Sequence, residues 1–231
     1  MRMTISAAAV AALLCTAGLS AKLSTKAEKR IADAGTVLTE IHNAPDKDVP
    51  QDLWNKASCV VVIPGLKKAA FVIGGEFGEG LLSCRHAGAW SAPVFMQLEK
   101  GSWGLQIGAQ SIDLVLLVMN DSGVNKLLGD KVTLGADASV AAGPVGRSGQ
   151  ASTDVRLNAE ILSYSRAQGL FAGIDISGGV LRPDKDDNLD LYGANVTPTE
   201  IAAGTVQMPE VARPFIRALD RNGVIGTSGT R

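Results

Sequence analysis

The sequence predicts an α+β fold: a single domain of mostly antiparallel β-sheet, closed or sandwich-like, with N-terminal and C-terminal helices. Three observations carry this expectation. Apolar residues recur at steps of three and four between Lys22 and His42. From Ser58 to about Tyr192 the period falls to two and glycines become frequent. Beyond Thr197, helical spacing returns between prolines. Helix, many strands, then helices is the order of an α+β domain. The chain has 231 residues, enough for one large core, and at 46% hydrophobic and 19% charged it is not disordered. A formal net charge of −1 gives no whole-chain attraction to nucleic acid, which is not an expected partner.

Taken in order, Arg2, the apolar run Ile5 to Ala17 and the small residues Ala17, Gly18, Ser20 and Ala21 have the layout of a secretory signal peptide. Residues 1–21 are therefore expected to be removed, leaving a domain of residues 22–231. Cys15 follows Leu14, where lipid attachment needs a small residue, so a lipoprotein is not expected. The mature protein is expected to be exported, periplasmic or peripheral to the envelope membrane. No other apolar run approaches the ~18 residues of a membrane-spanning helix. In an oxidising compartment, Cys59 and Cys84 form an even pair, each at the edge of a strand-like run, and a disulfide is expected.

In the first helix Leu23, Ala27, Ile31, Ala34, Leu38 and Ile41 share one face. Pro45 and Pro50 end the pattern, and Gln51 to Ala57 adds a helical turn. Alternation predicts half-buried strands over Trp103–Gln110, Val132–Val140 and Val155–Ile161, and Leu114–Met119 reads as a buried strand. Asn120 to Gly129 predicts a short helix. Thr197-Pro198-Thr199-Glu200 is a capping box with proline at the first helical position. Pro209 and Pro214 bracket a further helix carrying Val211, Phe215, Ile216 and Leu219.

Catalytic signals are sparse. The only histidines are His42, at a helix end, and His86, in a turn, and no nucleophile elbow is present. An enzyme is not expected, nor a cofactor. The glycines of Gly74 to Gly80 fit neither phosphate-loop template and read as strand glycines. Asp184, Asp186, Asn188 and Asp190 alternate as in a calcium loop, but Leu189 and Asn195 stand where that loop needs glycine and glutamate. A solvated hairpin tip is the expectation there.

The basic residues form the clearest pattern. On a helical wheel Lys22, Lys26, Lys29 and Arg30 border the apolar face, the arrangement of a helix lying on an anionic membrane. Asp33 and Glu40 intrude on that side. Lys67 and Lys68, in an expected turn between two strands, extend the same patch.

Several runs together are similar to the SYLF domain: Ala57 to Arg85, Trp90 to Phe95, Gly104 to Ala109, Asp113 to Asn120, Gly143 to Gly146, Tyr164 to Gly173 and Asn188 to Gly193. They occur in the family's order and span about residues 25–205. The resemblance implies a lipid-binding module, known in eukaryotes for phosphoinositide binding and in yeast members for actin contact, with exported envelope proteins among bacterial relatives. It also implies membrane contact through an N-terminal amphipathic helix and basic residues, here Lys22 to His42 with Lys67 and Lys68. The expected function is non-catalytic binding of anionic phospholipid at a membrane surface. Lys22, Lys26, Lys29, Arg30, Lys67 and Lys68 would attract the headgroups, and Leu23, Ala27 and Ile31 would insert. The alternative is a structural or protein-interaction module whose helix is permanently docked.

Overall fold

The structure, a computed structural model, describes residues 23–43, 49–70, 73–103, 108–145, 158–167 and 170–222. The expected leader and Lys22 lie outside these residues, as does most of the strand expected over Val155–Ile161.

Helix α1 spans Thr25–His42 and starts where the Ser24 side chain accepts the Ala27 N–H at 3.1 Å. Such a cap contributes about 1 kcal/mol. The apolar stripe read from the sequence is buried along its whole length, from Leu23 to Ile41. After α2 (Gln51–Lys56) come five strands: β1 (Cys59–Ala70), β2 (Ile73–His86), β3 (Ala89–Trp90), β4 (Val94–Trp103) and β5 (Gly108–Val118). The β2–β3 hairpin turns on Ala87 and Gly88, both at positive φ, as a two-residue turn matched to strand twist requires. Helix α3 (Asp121–Leu127) is capped by Asn120, whose side chain accepts the Gly123 N–H. Strands β6 (Val132–Thr133), β7 (Val140–Ala142), β8 (Ile161–Ala167), β9 (Leu170–Gly173) and β10 (Val180–Pro183) follow. Helices α4 (Lys185–Tyr192), α5 (Pro198–Ala202) and α6 (Arg213–Asn222) close the chain, with one 3-10 turn at Glu210–Ala212. The Thr197–Glu200 capping box forms as expected.

The strands make one sheet in the order β6-β10-β4-β2-β1-β5-β8-β7, with β3 added to β2 and β9 to β8. Its ladders are antiparallel except β7–β8. Among the described residues no ladder joins β6 to β7, so the sheet is a single curled layer with helices at both ends of the chain. Both faces are covered at its centre. Val60 and Val62 pack with α1, Trp54 and Phe215, whereas Val61 and Ile63 pack with Leu127, Leu134 and Ile201. This two-sided burial explains why the centres of β1 and β5 read as unbroken apolar runs. Cys59 lies opposite Cys84 in the β1–β2 ladder and the two are joined by a disulfide. The strands also approach closely at Gly80, where a Cβ would stand 2.1 Å from the Val62 carbonyl oxygen.

Residues 104–107 of the strand expected over Trp103–Gln110 lie outside the described residues; Trp103 belongs to β4 and Gly108 to β5. Three local expectations are corrected. Val132–Val140 is split by a turn, because Gly135 takes φ +85° and the Asp137 carboxylate accepts the Thr133 N–H at 2.7 Å. Lys67 and Lys68 lie within β1 and not in a turn. The chain bulges just before them, between Val62 and Lys67, with Gly65 at φ +59°. Finally, Asp184 to Asp190 is not a hairpin tip. Asp184 caps α4, and Asn188 within it exchanges hydrogen bonds with the Phe95 backbone at 2.9 Å.

Candidate functional site

Alternation along β2 puts Phe77, Glu79 and Leu81 on the face that α1 covers. Leu81 joins the core, but Glu79 is an acid aimed at the helix and Phe77 stays 44% exposed. Opposite Glu79, one turn of α1 carries Lys26 and Arg30. Lys26 Nζ sits 2.6 Å from Glu79 Oε1, and Arg30 Nη2 3.1 Å from Glu79 Oε2.

Arg30 is the hub of this contact. Its side chain is 4% exposed, and its Nη1 and Nη2 also reach Asp184 Oδ2 at 3.0 Å and Asp187 Oδ2 at 2.6 Å. The guanidinium lies over the Phe95 ring, 5.2 Å from its centroid. Burial pushes the Asp184 carboxyl up, but hydrogen bonds from Gln97 and Arg30 outweigh it and hold the group below its ordinary value. Asp187 is pushed up, first by burial and then by the neighbouring Asp184 and Glu79 charges, against the pull of Arg30. Arg30 thus ties α1 to β2 and to the start of α4, and a cation so enclosed is committed to the fold.

Above this cluster, α1 and inner stretches of β1, β2 and β5 border a cleft of about 600 Å³. Lys26, Lys29, Lys67, Phe77 and Ser111 are among its lining residues. At its floor the Asp113 carboxylate accepts the Gly65 N–H at 2.9 Å, fixing the β1 bulge, and burial raises its pKa. Arg166 pairs with Asp113 and with Glu40 of α1. At the rim the cations project furthest: Lys26 and Lys29 are 69% and 73% exposed, against 43% for Asp33 and 40% for Glu40.

The residues expected to act at a membrane divide accordingly. Lys26, Lys29 and Lys67 meet at one cleft, as the sequence suggests. Arg30 reaches the same cleft but is buried among three carboxylates. Lys22 and the Lys68 side chain lie outside what is described. Leu23, Ala27 and Ile31, expected to insert, are 8%, 0% and 1% exposed and belong to the core. Their face packs against the sheet and α6. The sequence reading missed Glu79, Asp184, Asp187 and Phe77. Glu79 left a trace, since alternation sets this acid on the same face as Leu81.

On the far side of the molecule a second network forms. Glu160 accepts from Lys126 Nζ at 2.7 and 2.9 Å, from the Ser139 N–H at 2.8 Å and from the Ser122 hydroxyl. The hydrogen bonds from Lys126 and then Ser122 hold its carboxyl down to about 2. Among the described residues no group of three His, Cys, Asp or Glu side chains is placed to hold a metal, and no helix is long and apolar enough to cross a membrane.

Residues 99–222 match the Ysc84 family, described as Las17-binding protein actin regulator. The chain is 32% identical over 200 residues to SH3 domain-containing YSC84-like protein 1 of Xenopus laevis, covering 85% of this chain and 59% of that protein. It is 30% identical over 205 residues to LAS seventeen-binding protein 3 of Saccharomyces cerevisiae (87% and 44%) and 29% identical over 205 residues to Protein YSC84 of the same yeast (87% and 43%). The chain therefore spans about half the length of these relatives. The family model covers more than half of the chain, and with the 32% identity to a relative over 85% of it, the chain belongs to the Ysc84 family, the SYLF-domain proteins.

Proposed function

We propose that this chain is a non-catalytic binding module that contacts an anionic phospholipid surface through the rim of the α1–β1 cleft while α1 stays docked. The observation that carries the reading is the convergence of Lys26, Lys29 and Lys67, from two distant stretches of sequence, beside the exposed Phe77. Each cation near an anionic surface contributes about 1 kcal/mol, or less where, as for Lys26 with Glu79 and Lys29 with Asp33 at 2.6 Å, it is shared with a carboxylate, so the three give weak, reversible attachment. Such attachment suits a peripheral protein of an exported compartment, the location proposed here. Co-sedimentation of the chain with anionic and neutral vesicles tests it. Binding is expected to anionic vesicles alone, to fall with salt, and to be abolished by Lys26→Glu combined with Lys29→Glu.

A second reading is a protein-interaction module. The description of the family as Las17-binding and the docked state of α1 both favour it. Failure of the chain to sediment with any vesicle would transfer the assignment to this reading.

A further inference from the structure

The acidic run from Asp184 to Asp190 is only partly used by the fold. Asp184 and Asp187 hold Arg30. Among the described residues, no ion pair or hydrogen bond engages the side chain of Asp186 or Asp190. Asp190 is also placed against the helix that carries it. It stands four residues from Asp186 on α4, where like charges repel. It lies in the last turn, where it adds to the negative end of the helix dipole, and no basic residue offsets it there. A local cost with no return inside the chain marks a surface kept for something outside it.

The same helix turns an apolar residue outward. Polar groups anchor α4 to the start of β4: the Asn188 amide on the Phe95 backbone, and the Tyr192 hydroxyl, which donates to the Pro93 carbonyl at 2.6 Å. These take up its inner face, and Leu189 is left 48% exposed. A lone exposed leucine needs no explanation. Leu189, however, walls a groove of about 680 Å³ whose lining also includes Leu128, Pro183, Ala194, Val196 and Pro198. Leu128 and Val196 pack against the core on the sheet face away from α1, so the groove belongs to that face.

The cations beside the groove are engaged. Lys185 and Asp130, both lining it, pair at 3.4 Å. Arg182 pairs with Glu99 at 2.7 Å, and the charge of Lys131 acts on Asp137. The excess next to Leu189 is therefore negative, with Asp186 and Asp190 about 60° and 100° from it around the same side of the helix axis.

We propose that this groove is the docking site for a short basic peptide segment of a partner protein. One apolar side chain of the segment enters beside Leu189, and flanking lysine or arginine side chains meet Asp186 and Asp190. The apolar lining supplies contact area, and the unpaired acids select against acidic segments. The inference does not rest on the lipid reading, whose cleft lies on the α1 side of the sheet.

Selection of a phage-displayed library of random dodecapeptides on the full chain tests this, the leading peptide then being measured by fluorescence anisotropy. Enriched peptides are expected to carry an apolar residue among lysines and arginines, and to bind more weakly as salt rises. Asp186→Lys combined with Asp190→Lys is expected to weaken the leading peptide at least about tenfold. Leu189→Ser is expected to weaken it about threefold to tenfold. All three side chains are exposed, so the thermal midpoint should move little. A version of the peptide with glutamate in place of its basic residues should bind the doubly substituted chain more tightly than the unaltered one. Enrichment of no basic peptide, or binding that either change fails to weaken, would overturn the proposal. A concentration-dependent dimer lost in Leu189→Ser, with no basic peptide enriched, would give the groove to a second copy of the chain and overturn it as well.

Discussion

The inner and outer halves of the same four strands obey one alternation and meet different fates. In the inner half Phe95, Leu81, Val62 and Val115 turn toward α1 and are at most 1% exposed. In the outer half the equivalent row is Glu99, Phe77, Lys67 and Ser111, with Phe77 44% exposed. The alternation itself runs unbroken through both, although the inner row is apolar and the outer row, Phe77 apart, is charged or polar. Cover differs as well: α1 packs directly on the inner half, stands across a cleft from the outer row, and is fastened at the Arg30 cluster. Strand periodicity determines which side a residue faces. Burial depends on an element contributed from elsewhere in the chain.

Removing the fastening is expected to have the largest effect on this contrast. Arg30→Met leaves Glu79, Asp184 and Asp187 facing each other without their shared cation, which costs about 3–5 kcal/mol. Urea denaturation checks the loss, and hydrogen exchange should locate it in α1 and the start of α4, with little change at the sheet end. The next effect comes from a methyl group placed in the inner half. Gly80→Ala drives a Cβ into the Val62 carbonyl and is expected to cost about 1–3 kcal/mol of stability by thermal melts.

Acid provides a smaller, graded test on the far side. The Glu160 carboxyl has its folded pKa depressed from 4.5 to about 2, so its contribution is full above about pH 4.5 and is lost as pH falls toward about 2. Glu160→Gln should flatten the thermal midpoint of the chain over that window, relative to the unaltered protein. The smallest effect belongs to the outer half. Gly101→Ala meets open space and is expected to change stability by no more than about 0.5 kcal/mol. A loss there as large as that of Gly80→Ala would mean that both halves are covered, and the contrast would fail.

Much of the framework was legible in the sequence because its signals are local. The stripe of α1, the Thr197–Glu200 capping box and the Asn120 cap each lie within a few turns of chain, and the two cysteines could pair only with each other once Cys15 is set aside. The failures share another physical origin. Asp184, Asp186, Asn188 and Asp190 fit a loop by spacing, yet Asp184 caps a helix and Asn188 is held by the backbone of β4. The basic border of α1 was visible, but its meaning depended on Glu79, 49 residues from Arg30, and on Asp184, 154 residues away. A helix built to lie on a membrane and a helix built to lie on a sheet have the same apolar stripe. The acids waiting across the gap tell them apart.

The reach of Arg30 also sets a schedule for synthesis. The residues of α1 are made early, but Asp184 emerges 154 residues after Arg30 and Asn222, which donates to the Leu38 carbonyl, 184 residues after Leu38. At about 5–20 residues per second, the first helix waits on the order of 10–30 s for its last partners. Until β1 and β2 have been made, its apolar stripe has no strand to rest on. The newly made chain therefore passes through a stage at which α1 presents an uncovered apolar stripe, and a chaperone that holds amphipathic helices would find its client there, not in the finished protein.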